Sequence, residues 1–389
     1  MLTPTLFQSA FLGGFECSTH RRDDGRRLDL IAATGHDRAV AQDYRAMLGH
    51  GIRTVRDGVR WHLIETAPGH YDWSSLLPML RAARELDVQV IWDLCHYGFP
   101  DDIDVWRPQF VDRFARFAAA VAALVRDETD GVPFYCPVNE IAYWSWAGGD
   151  RGMMNPCAHG RGFELKHQLV RAAIAGMDAV RSVDPRARFV HVDPVINVVA
   201  SPDRPEDREE SIAYTRAQYQ SWDMIAGELW PGLGGRADLL DIIGVNYYSD
   251  NQWFLGGGTI ERGDPHYKPF REILAAVWER FRRPILIAET GAEGDARAPW
   301  LEYVTAEAVA AVEAGVPVEG ICLYPILDYP GWTNERHCPV GLLGYLENGG
   351  LEGGRCVHRP LADALARQQA LIDRRLAEPR PRRTTARVA

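Results

Sequence analysis

The chain has 389 residues, of which 46% are hydrophobic and 25% charged, as is ordinary for a soluble globular protein. Its formal net charge of -10 argues against nucleic acid or an anionic membrane as the main partner. Its 12 tryptophans, 14 tyrosines and 13 phenylalanines suit a sugar-binding cleft, although a large core also takes aromatic residues.

The N-terminal residues lack a basic segment followed by an apolar one, and no apolar run is long enough to span a bilayer. The seven cysteines are scattered, with neither a Cys-x-x-Cys pair nor zinc-ligand spacing. We therefore expect a cytoplasmic protein with no metal, no organic cofactor, and no membrane or nucleic-acid partner. The sequence leaves the oligomeric state open.

Short apolar runs alternate along the chain with longer segments of helical periodicity. The runs predict strands over residues 7–15, 52–57, 88–94, 132–138, 188–192, 240–247, 284–289 and 319–326. The periodic segments predict helices over residues 37–48, 76–86, 109–126, 164–183, 207–227, 270–280, 300–314 and 360–374. Each predicted strand is followed by a helix, as in parallel βαβ units.

Eight such units without a dividing linker predict a single-domain (β/α)8 barrel over residues 1–376. The basic segment 377–389 is predicted to be a disordered tail. A doubly wound sheet is the competing architecture, but it usually carries a glycine-rich phosphate loop after its first strand. Gly13-Gly14 does not form Gly-x-Gly-x-x-Gly. We therefore favour the barrel, which places functional residues at the C-terminal ends of the strands.

Polar and aromatic side chains crowd those predicted strand ends. Taken in chain order they are Glu16, His20, Arg56, Asp57, Arg60, Trp61, His96, Tyr97, Asn139, Glu140, His191, Asp193, Asn246, Tyr247, Tyr248, Glu289, Tyr324, Asp328 and Trp332. Some of them must be structural, and we interpret His191 and Asp193 as partners within the core. So many polar and aromatic side chains at the strand ends are hard to explain by packing alone.

Two glutamates at strand ends carry the chemical argument. Glu140 follows the fourth predicted strand, and Glu289 ends the seventh. A carboxylate at the end of a buried strand is costly unless it is used, although a helix cap or salt bridge explains a single one equally well. Glycoside hydrolysis needs two, one to protonate the leaving oxygen and one to attack or act as base. Arg56 and Tyr248 would favour the charged form of Glu289, which distinguishes nucleophile from acid.

Six short motifs, each at the end of a predicted strand, carry a more specific signal. They are Phe11-Leu12-Gly13-Gly14, Val55-Arg56-Asp57-Gly58-Val59-Arg60-Trp61, His96-Tyr97-Gly98-Phe99-Pro100, Asn139-Glu140-Ile141, Asn246-Tyr247-Tyr248 and Ala288-Glu289-Thr290-Gly291. Together and in this order they resemble the motifs of the family 1 β-glycosidases, which are clan A glycoside hydrolases. The resemblance covers nearly the whole chain and implies a retaining hydrolase that needs no cofactor.

By matched position, the resemblance implies that Glu140 is the acid/base and Glu289 the nucleophile, with Arg56 and Tyr248 supporting the nucleophile. It further implies that the sugar in the cleavage subsite contacts His96 and Asn139. We add the remaining candidate substrate-binding residues on the same rim, which are Asn246, Trp332, Glu16, His20 and Tyr324.

The chain departs from the family pattern where that pattern binds the glycone. The family's strand-one glutamine has no clear match, and Glu16, His20 and Arg21 stand near that point. The glutamate of the family's strand-eight motif, which binds two sugar hydroxyls, is Gly331 here. Losing a buried bidentate acceptor should lower the affinity for a glucose-like glycone. We therefore expect the catalytic pair to serve a different sugar.

The leading hypothesis is a retaining O-glycosidase that acts from the end of an oligosaccharide or on a glycoside, at a β-type linkage. Loops 147–162 and 252–269 are long enough to wall off a pocket. Trp144, Trp146 and Trp253, in or near these loops, are either sugar platforms or core residues. The alternatives are an endo-acting or transglycosylating relative in the same clan and a catalytically inactive sugar-binding barrel. A metal-dependent hydrolase would need a His-x-His pair after strand one, which is absent.

Overall fold

The computed structural model describes residues 2–346 and 354–377 of the chain. Within them, eight parallel strands close into a barrel in which chain neighbours pair and the last strand pairs with the first. The strands are β1 Phe11–Gly14, β2 Thr54–Gly58, β3 Gln89–Asp93, β4 Phe134–Cys136, β5 Arg188–Pro194, β6 Ile242–Asn246, β7 Ile285–Thr290 and β8 Val318–Leu323. The predicted (β/α)8 barrel is confirmed.

Helices follow the strands and cover the outside of the barrel. They are α1 His36–Gly49, α2 Leu77–Glu85, α3 Pro108–Glu128, α4 Gly162–Val183, α5 Arg208–Ala217, α6 Gln220–Ala226, α7 Phe270–Phe281, α8 Arg297–Glu313 and α9 Arg359–Ala377. In α3 the buried residues Phe110, Phe114, Phe117 and Val121 recur every three or four positions. This spacing presents one apolar stripe to the barrel, which is what a helix of this architecture requires.

Two elements differ from their predicted bounds for identifiable reasons. The first strand begins at Phe11 rather than at residue 7, because side chains bind the preceding backbone. Thr54 Oγ1 accepts from the Gln8 amide at 3.0 Å, and Glu319 accepts from the Leu6 amide at 3.2 Å. The helix predicted over residues 207–227 is split between α5 and α6. At the break, the Gln218 side chain accepts from the Ile196 amide at 2.9 Å and donates to its carbonyl oxygen at 3.2 Å. Side chain–backbone bonds of this kind compete with regular structure.

Part of a predicted loop is also ordered into a strand. Gln252–Phe254, inside the segment read as loop 252–269, pairs in parallel with Asn197–Val199. The predicted tail lies outside the described residues from position 378 onward. No helix in the described ranges combines the length and apolarity needed to cross a membrane.

A buried charged cluster ties α1 to the barrel and to the C-terminal part of the chain. His36 lies between two carboxylates, with Nδ1 2.7 Å from Asp43 and Nε2 2.9 Å from Asp57. Arg355 donates to Asp43 at 2.6 Å, and the Phe15 ring stacks on the imidazole. Burial opposes a charge on His36, but the two carboxylates outweigh it and raise the pKa to about 9. The imidazolium can donate to both carboxylates at once, which a neutral imidazole cannot do.

This cluster predicts that the protein loses stability in mildly alkaline solution. The folded-state pKa of His36 is raised, so its contribution is complete below about pH 6.5 and is lost as the pH rises through about 9. A shift of this size corresponds to about 3 kcal/mol. Urea unfolding of the wild-type chain between pH 6 and 9.5 should show this fall, and the variant His36→Ala should show a flatter profile. His70 is exposed, so His70→Ala should keep the wild-type pH dependence.

Candidate active site

Glu289 lies at the C-terminal end of a strand that is otherwise apolar. The four preceding residues of β7 are fully buried aliphatic side chains that fill the barrel wall and interior. The Glu289 carboxylate is itself only 6% exposed, and it accepts two hydrogen bonds. Arg56 Nη1 donates to Oε1 at 2.6 Å, and the Tyr248 hydroxyl donates to Oε2 at 3.1 Å. Both partners stabilise the ionised carboxylate.

Arg56 is fully buried and is held in place by three further bonds. Its Nε and Nη2 donate to the two oxygens of Asp93 at 2.9 and 2.6 Å, and Nη2 also donates to Asn139 Oδ1 at 2.6 Å. Asp93 is the last residue of β3 and has no exposed surface. A buried guanidinium is tolerated only when its charge and its donors are matched. Here one side is bound by Asp93, so the other side is directed at Glu289.

Glu140 follows β4 and is held by uncharged donors instead. Its Oε1 accepts from Asn246 Nδ2 at 2.7 Å, and its Oε2 accepts from the hydroxyl of Tyr97. The backbone of Glu140 has φ +46°, which is the left-handed region. A non-glycine residue held there costs free energy and is characteristic of functional sites. Glu140 is thus fixed in place by its neighbours without a cation bound directly to it.

The two carboxyls are both buried but are held by different partners. Burial is the largest effect at both sites and raises the pKa of Glu140 and of Glu289 to about 7. Hydrogen bonds from Tyr97 and Asn246 oppose this rise at Glu140, where the Asp193 charge adds to it. The Arg56 charge opposes the rise at Glu289, where repulsion from Glu140 adds to it. Since the guanidinium contacts Glu289 directly, we expect Glu289 to lose its proton first. The pair then holds one proton, on Glu140, near neutral pH.

A second layer of polar contacts surrounds Arg56. His96 Nδ1 lies 2.8 Å from Asp93 Oδ2 and 3.1 Å from Cys17 Sγ, while Asn139 Nδ2 lies 3.0 Å from His96 Nε2. Cys17, Asp93 and His96 are close enough together to be considered as metal ligands. However, both Asp93 oxygens already accept from the Arg56 guanidinium, and a cation there would face its charge at close range. These side chains therefore orient Arg56 and Asn139.

The residues predicted to bind substrate form an aromatic wall beside Glu140. The Trp332 ring packs edge-on against His20 at 4.8 Å and against Tyr97 at 5.7 Å between centroids. Three buried polar atoms in this region have no hydrogen-bond partner within the described residues, namely His20 Nδ1, Trp332 Nε1 and Asn246 Oδ1. Unpartnered buried polar atoms are costly, so atoms grouped beside a carboxyl pair suit the hydroxyls of a ligand.

Tyr324 and Glu16 complete the group from neighbouring strands. The Arg56 guanidinium lies 5.2 Å from the centre of the Tyr324 ring. A side chain at Gly14 would collide with that ring, so glycine at the end of β1 is what admits Tyr324. Glu16 is 6% exposed and accepts from the Ser18 amide at 2.9 Å. The structure therefore brings together the predicted catalytic and substrate-binding residues at one end of the barrel.

Solved structures with this arrangement of strands and helices come from known enzymes. A β-glucosidase from Thermotoga maritima in complex with deoxynojirimycin superposes with a TM-score of 0.75 at 16% sequence identity, over 93% of this chain and 99% of that one. A family 1 β-glucosidase from Thermotoga maritima gives 0.70 at 17% identity over 87% of each chain. The fold is that of the family 1 β-glucosidases. No protein-family model and no curated protein matches the sequence.

The structural likeness to family 1 β-glucosidases confirms the resemblance that was based on motifs, at the level of the fold. A third structure, the Thermotoga maritima β-glucosidase with glucoimidazole, gives a TM-score of 0.74 at 16% identity over 95% of this chain and 98% of that one. The six motifs of the sequence lie at the C-terminal ends of strands β1, β2, β3, β4, β6 and β7, as predicted.

Several other rim residues are used for structure rather than for the site. Asp57 binds His36 and Tyr44, Arg60 pairs with Asp29, and the Trp61 ring nitrogen donates to Glu65. The remaining members are bound in the same way to the backbone or to neighbouring side chains: His191 to Leu239, Asp193 to Ser221, Tyr247 to Tyr267 and Asp328 to Gly341. The interpretation of His191 and Asp193 as core partners agrees with these bonds.

The three tryptophans of the predicted loops differ in exposure. Trp144 is fully buried and donates to the Asn155 carbonyl at 2.8 Å, so it belongs to the core. Trp146 is 39% exposed, and its ring lies 5.9 Å from that of Tyr143. Trp253 packs against Tyr214 on a helix. Trp146 is thus the most exposed of the three.

Sequence reasoning assigned no role to Asp93 and overlooked the bond from Tyr97 to Glu140. A signal for Asp93 was present, because it is a carboxylate at the end of the apolar strand Gln89–Asp93, as Glu289 is at the end of β7. No comparable signal exists for the Tyr97 bond. It depends on the left-handed backbone at both residues, with φ +67° at Tyr97 and +46° at Glu140.

Proposed function

We propose that this protein is a retaining O-glycoside hydrolase with Glu289 as nucleophile and Glu140 as acid/base. The observation that carries the proposal is the contrast between two buried carboxyls in one site. Glu289 is bound by the buried cation Arg56, whereas Glu140 is bound by the neutral donors Tyr97 and Asn246. Double displacement at a glycoside needs one carboxyl that stays ionised and one that can hold a proton, and a cation bound directly to only one of the two favours that division.

In the first step, Glu289 attacks the anomeric carbon and the proton of Glu140 passes to the leaving oxygen. The glycosidic bond breaks as the bond from Glu289 to the sugar forms, and Glu140 becomes a carboxylate. In the second step, Glu140 takes a proton from water, and the resulting hydroxide attacks the anomeric carbon and releases Glu289. Arg56 and Tyr248 hold the Glu289 oxygens in position before attack and receive the charge again after release.

We further propose that the enzyme removes single sugars from the end of a glycoside and that the sugar is not glucose-like. The first point is supported by burial, since Glu140 and Glu289 are each less than a tenth exposed, which favours a pocket over an open groove. The second is supported by Gly331 in place of the family's hydroxyl-binding glutamate. His20 and Trp332 would offer donors and acceptors of a different arrangement.

The test is a panel of nitrophenyl glycosides, including furanosides and deoxysugars, followed by trapping. The best substrate found would be converted to its activated 2-deoxy-2-fluoro analogue, whose glycosyl-enzyme breaks down slowly. We expect the mass of one sugar on the peptide that carries Glu289, and product of retained configuration by NMR. Turnover with inverted product, or a label on another residue, would contradict the proposal.

A further inference from the structure

The Tyr97 side chain makes an unusual contact with the proposed acid/base. Its hydroxyl donates to Glu140 Oε2, while the other carboxylate oxygen is bound by Asn246. The matching residue of the family motif is a tryptophan, which has no phenol hydroxyl and so cannot make this bond. The bond is also buried, since Tyr97 is 1% exposed.

The surroundings of Tyr97 hold its hydroxyl in place from several directions. Its carbonyl oxygen accepts from Asn155 Nδ2 at 2.9 Å, which anchors the left-handed turn. The next residue is Gly98, where any side chain would collide with Thr19. Around the ring, Trp144 and Trp332 pack edge-on at 5.8 and 5.7 Å between centroids. A side chain fixed in this way can hold a carboxyl to a narrow range of positions.

We propose that Tyr97 is a positioning residue that orients the carboxyl of Glu140 and sets how readily it gives up its proton. This inference rests on the proposed function. A phenol bonds more strongly to a carboxylate than to a neutral carboxyl. Tyr97 therefore stabilises Glu140 after its proton has passed to the leaving oxygen, and makes it a stronger acid in the first step. It does not touch the substrate in this role.

The effect of Tyr97 adds to those of other groups that face Glu140. From the elements packed around it, Asp193 raises the pKa of Glu140, whereas Asn246 and Arg56 lower it. Glu289 and Tyr248 lie close enough for the Glu140 charge to raise their own pKa values. Tyr143, on the short helix Ile141–Trp144 that follows Glu140, is a further phenol beside it. These groups remain in a Tyr97→Phe variant, so the change isolates one hydrogen bond. Burial raises the pKa of Glu140, and the Tyr97 bond lowers it.

The experiment compares the pH dependence of kcat/KM in the wild-type chain and in Tyr97→Phe. The basic limb of this profile reports the pKa of Glu140 in the free enzyme. We expect the midpoint of that limb to rise by about one pH unit, which is tenfold in the ionisation equilibrium. Substrates with poor leaving groups should slow by about tenfold at pH 6, and those with good leaving groups should change little. Circular dichroism and thermal unfolding would establish that the variant is folded.

Tyr143→Phe is the matched control. Its ring lies 6.0 Å from that of Tyr97, but its hydroxyl makes no hydrogen bond to Glu140 in the part of the chain that the structure describes. The basic limb should stay in place in this variant. Site-specific 3-fluorotyrosine at position 97, a stronger donor with nearly the same shape, should move the limb down. A limb that does not move in Tyr97→Phe, or that moves as far in Tyr143→Phe, would overturn the role of Tyr97.

A measurement without turnover separates this inference from the proposed function. Carbon-13 NMR of labelled glutamate can follow the titration of Glu140 directly, with assignment from Glu140→Gln. We expect the Glu140 pKa to rise by about one unit in Tyr97→Phe. If the wild-type chain hydrolysed no glycoside but this rise were observed, the proposed function would fail while the Tyr97 bond stood. An unchanged titration in an active enzyme would reject the Tyr97 role alone.

Discussion

Replacing Glu289 with alanine is expected to reduce hydrolysis of an activated aryl glycoside by about ten-thousand-fold or more. The substitution removes the only group proposed to attack the anomeric carbon, and it leaves Arg56 with a buried charge that is matched by Asp93 alone. Initial rates of nitrophenol release, at enzyme concentrations high enough to measure a slow reaction, would check the size of the loss.

Azide distinguishes a lost nucleophile from a misfolded site. In the space left by the Glu289 side chain, azide can attack the sugar once, and NMR should find a glycosyl azide of inverted configuration. The matched control is Glu293→Ala, four residues along the chain, where an exposed glutamate pairs with Arg336 at 3.0 Å. That variant should retain near wild-type rates. Full activity in Glu289→Ala would exclude the mechanism.

Replacing Glu140 with alanine is expected to affect substrates according to their leaving group. Without an acid, alkyl or phenyl glycosides should be cleaved about 10²–10⁴-fold more slowly. Dinitrophenyl glycosides need little protonation, so their first step should change by less than about tenfold. Glu140 also activates water in the second step of the proposed mechanism. With dinitrophenyl substrates the glycosyl-enzyme should therefore accumulate, and this would be seen as a burst of dinitrophenol.

A surface glutamate controls for the charge change in that experiment. Glu164, at the start of α4, is exposed and pairs with Arg161 at 2.7 Å. Glu164→Ala should leave both classes of substrate unaffected. Equal losses on good and poor leaving groups in Glu140→Ala would remove Glu140 from the acid role and would leave it a structural partner of Asn246 and Tyr97.

The arrangement around Arg56 explains how one barrel can hold several buried carboxyls. Asp93 and Glu289 share a single guanidinium, which also donates to Asn139, while His96 binds Asp93. The Arg56 charge therefore reaches Glu289 directly and Glu140 only at a distance. This asymmetry supports the proposed division of roles, because a cation in direct contact favours the ionised form of Glu289 more than that of Glu140.

The barrel and the position of Glu140 and Glu289, the proposed catalytic pair, could be predicted from local sequence. The hydrophobic effect confines apolar segments of strand length, such as Ile285–Thr290, to a buried sheet. Eight such strands with helices between them can adopt only a few chain topologies. A carboxylate directly after such a run must then lie at the rim. The ends of elements were less predictable, because bonds such as those from Glu319 and Gln218 form only in the folded chain.

The sequence by itself therefore determined the architecture and which polar residues lie near the C-terminal ends of its strands, because local hydrophobicity and strand length decide both. Only the tertiary structure decided the partners of each carboxyl. Arg56 and Glu289 are 233 residues apart in the chain, and their bond depends on barrel closure. Tyr97 reaches Glu140 through backbone angles that no local pattern of residues specifies. Since such partners affect the protonation state of a buried carboxyl, the proposed division between nucleophile and acid depends on contacts that exist only in the folded chain.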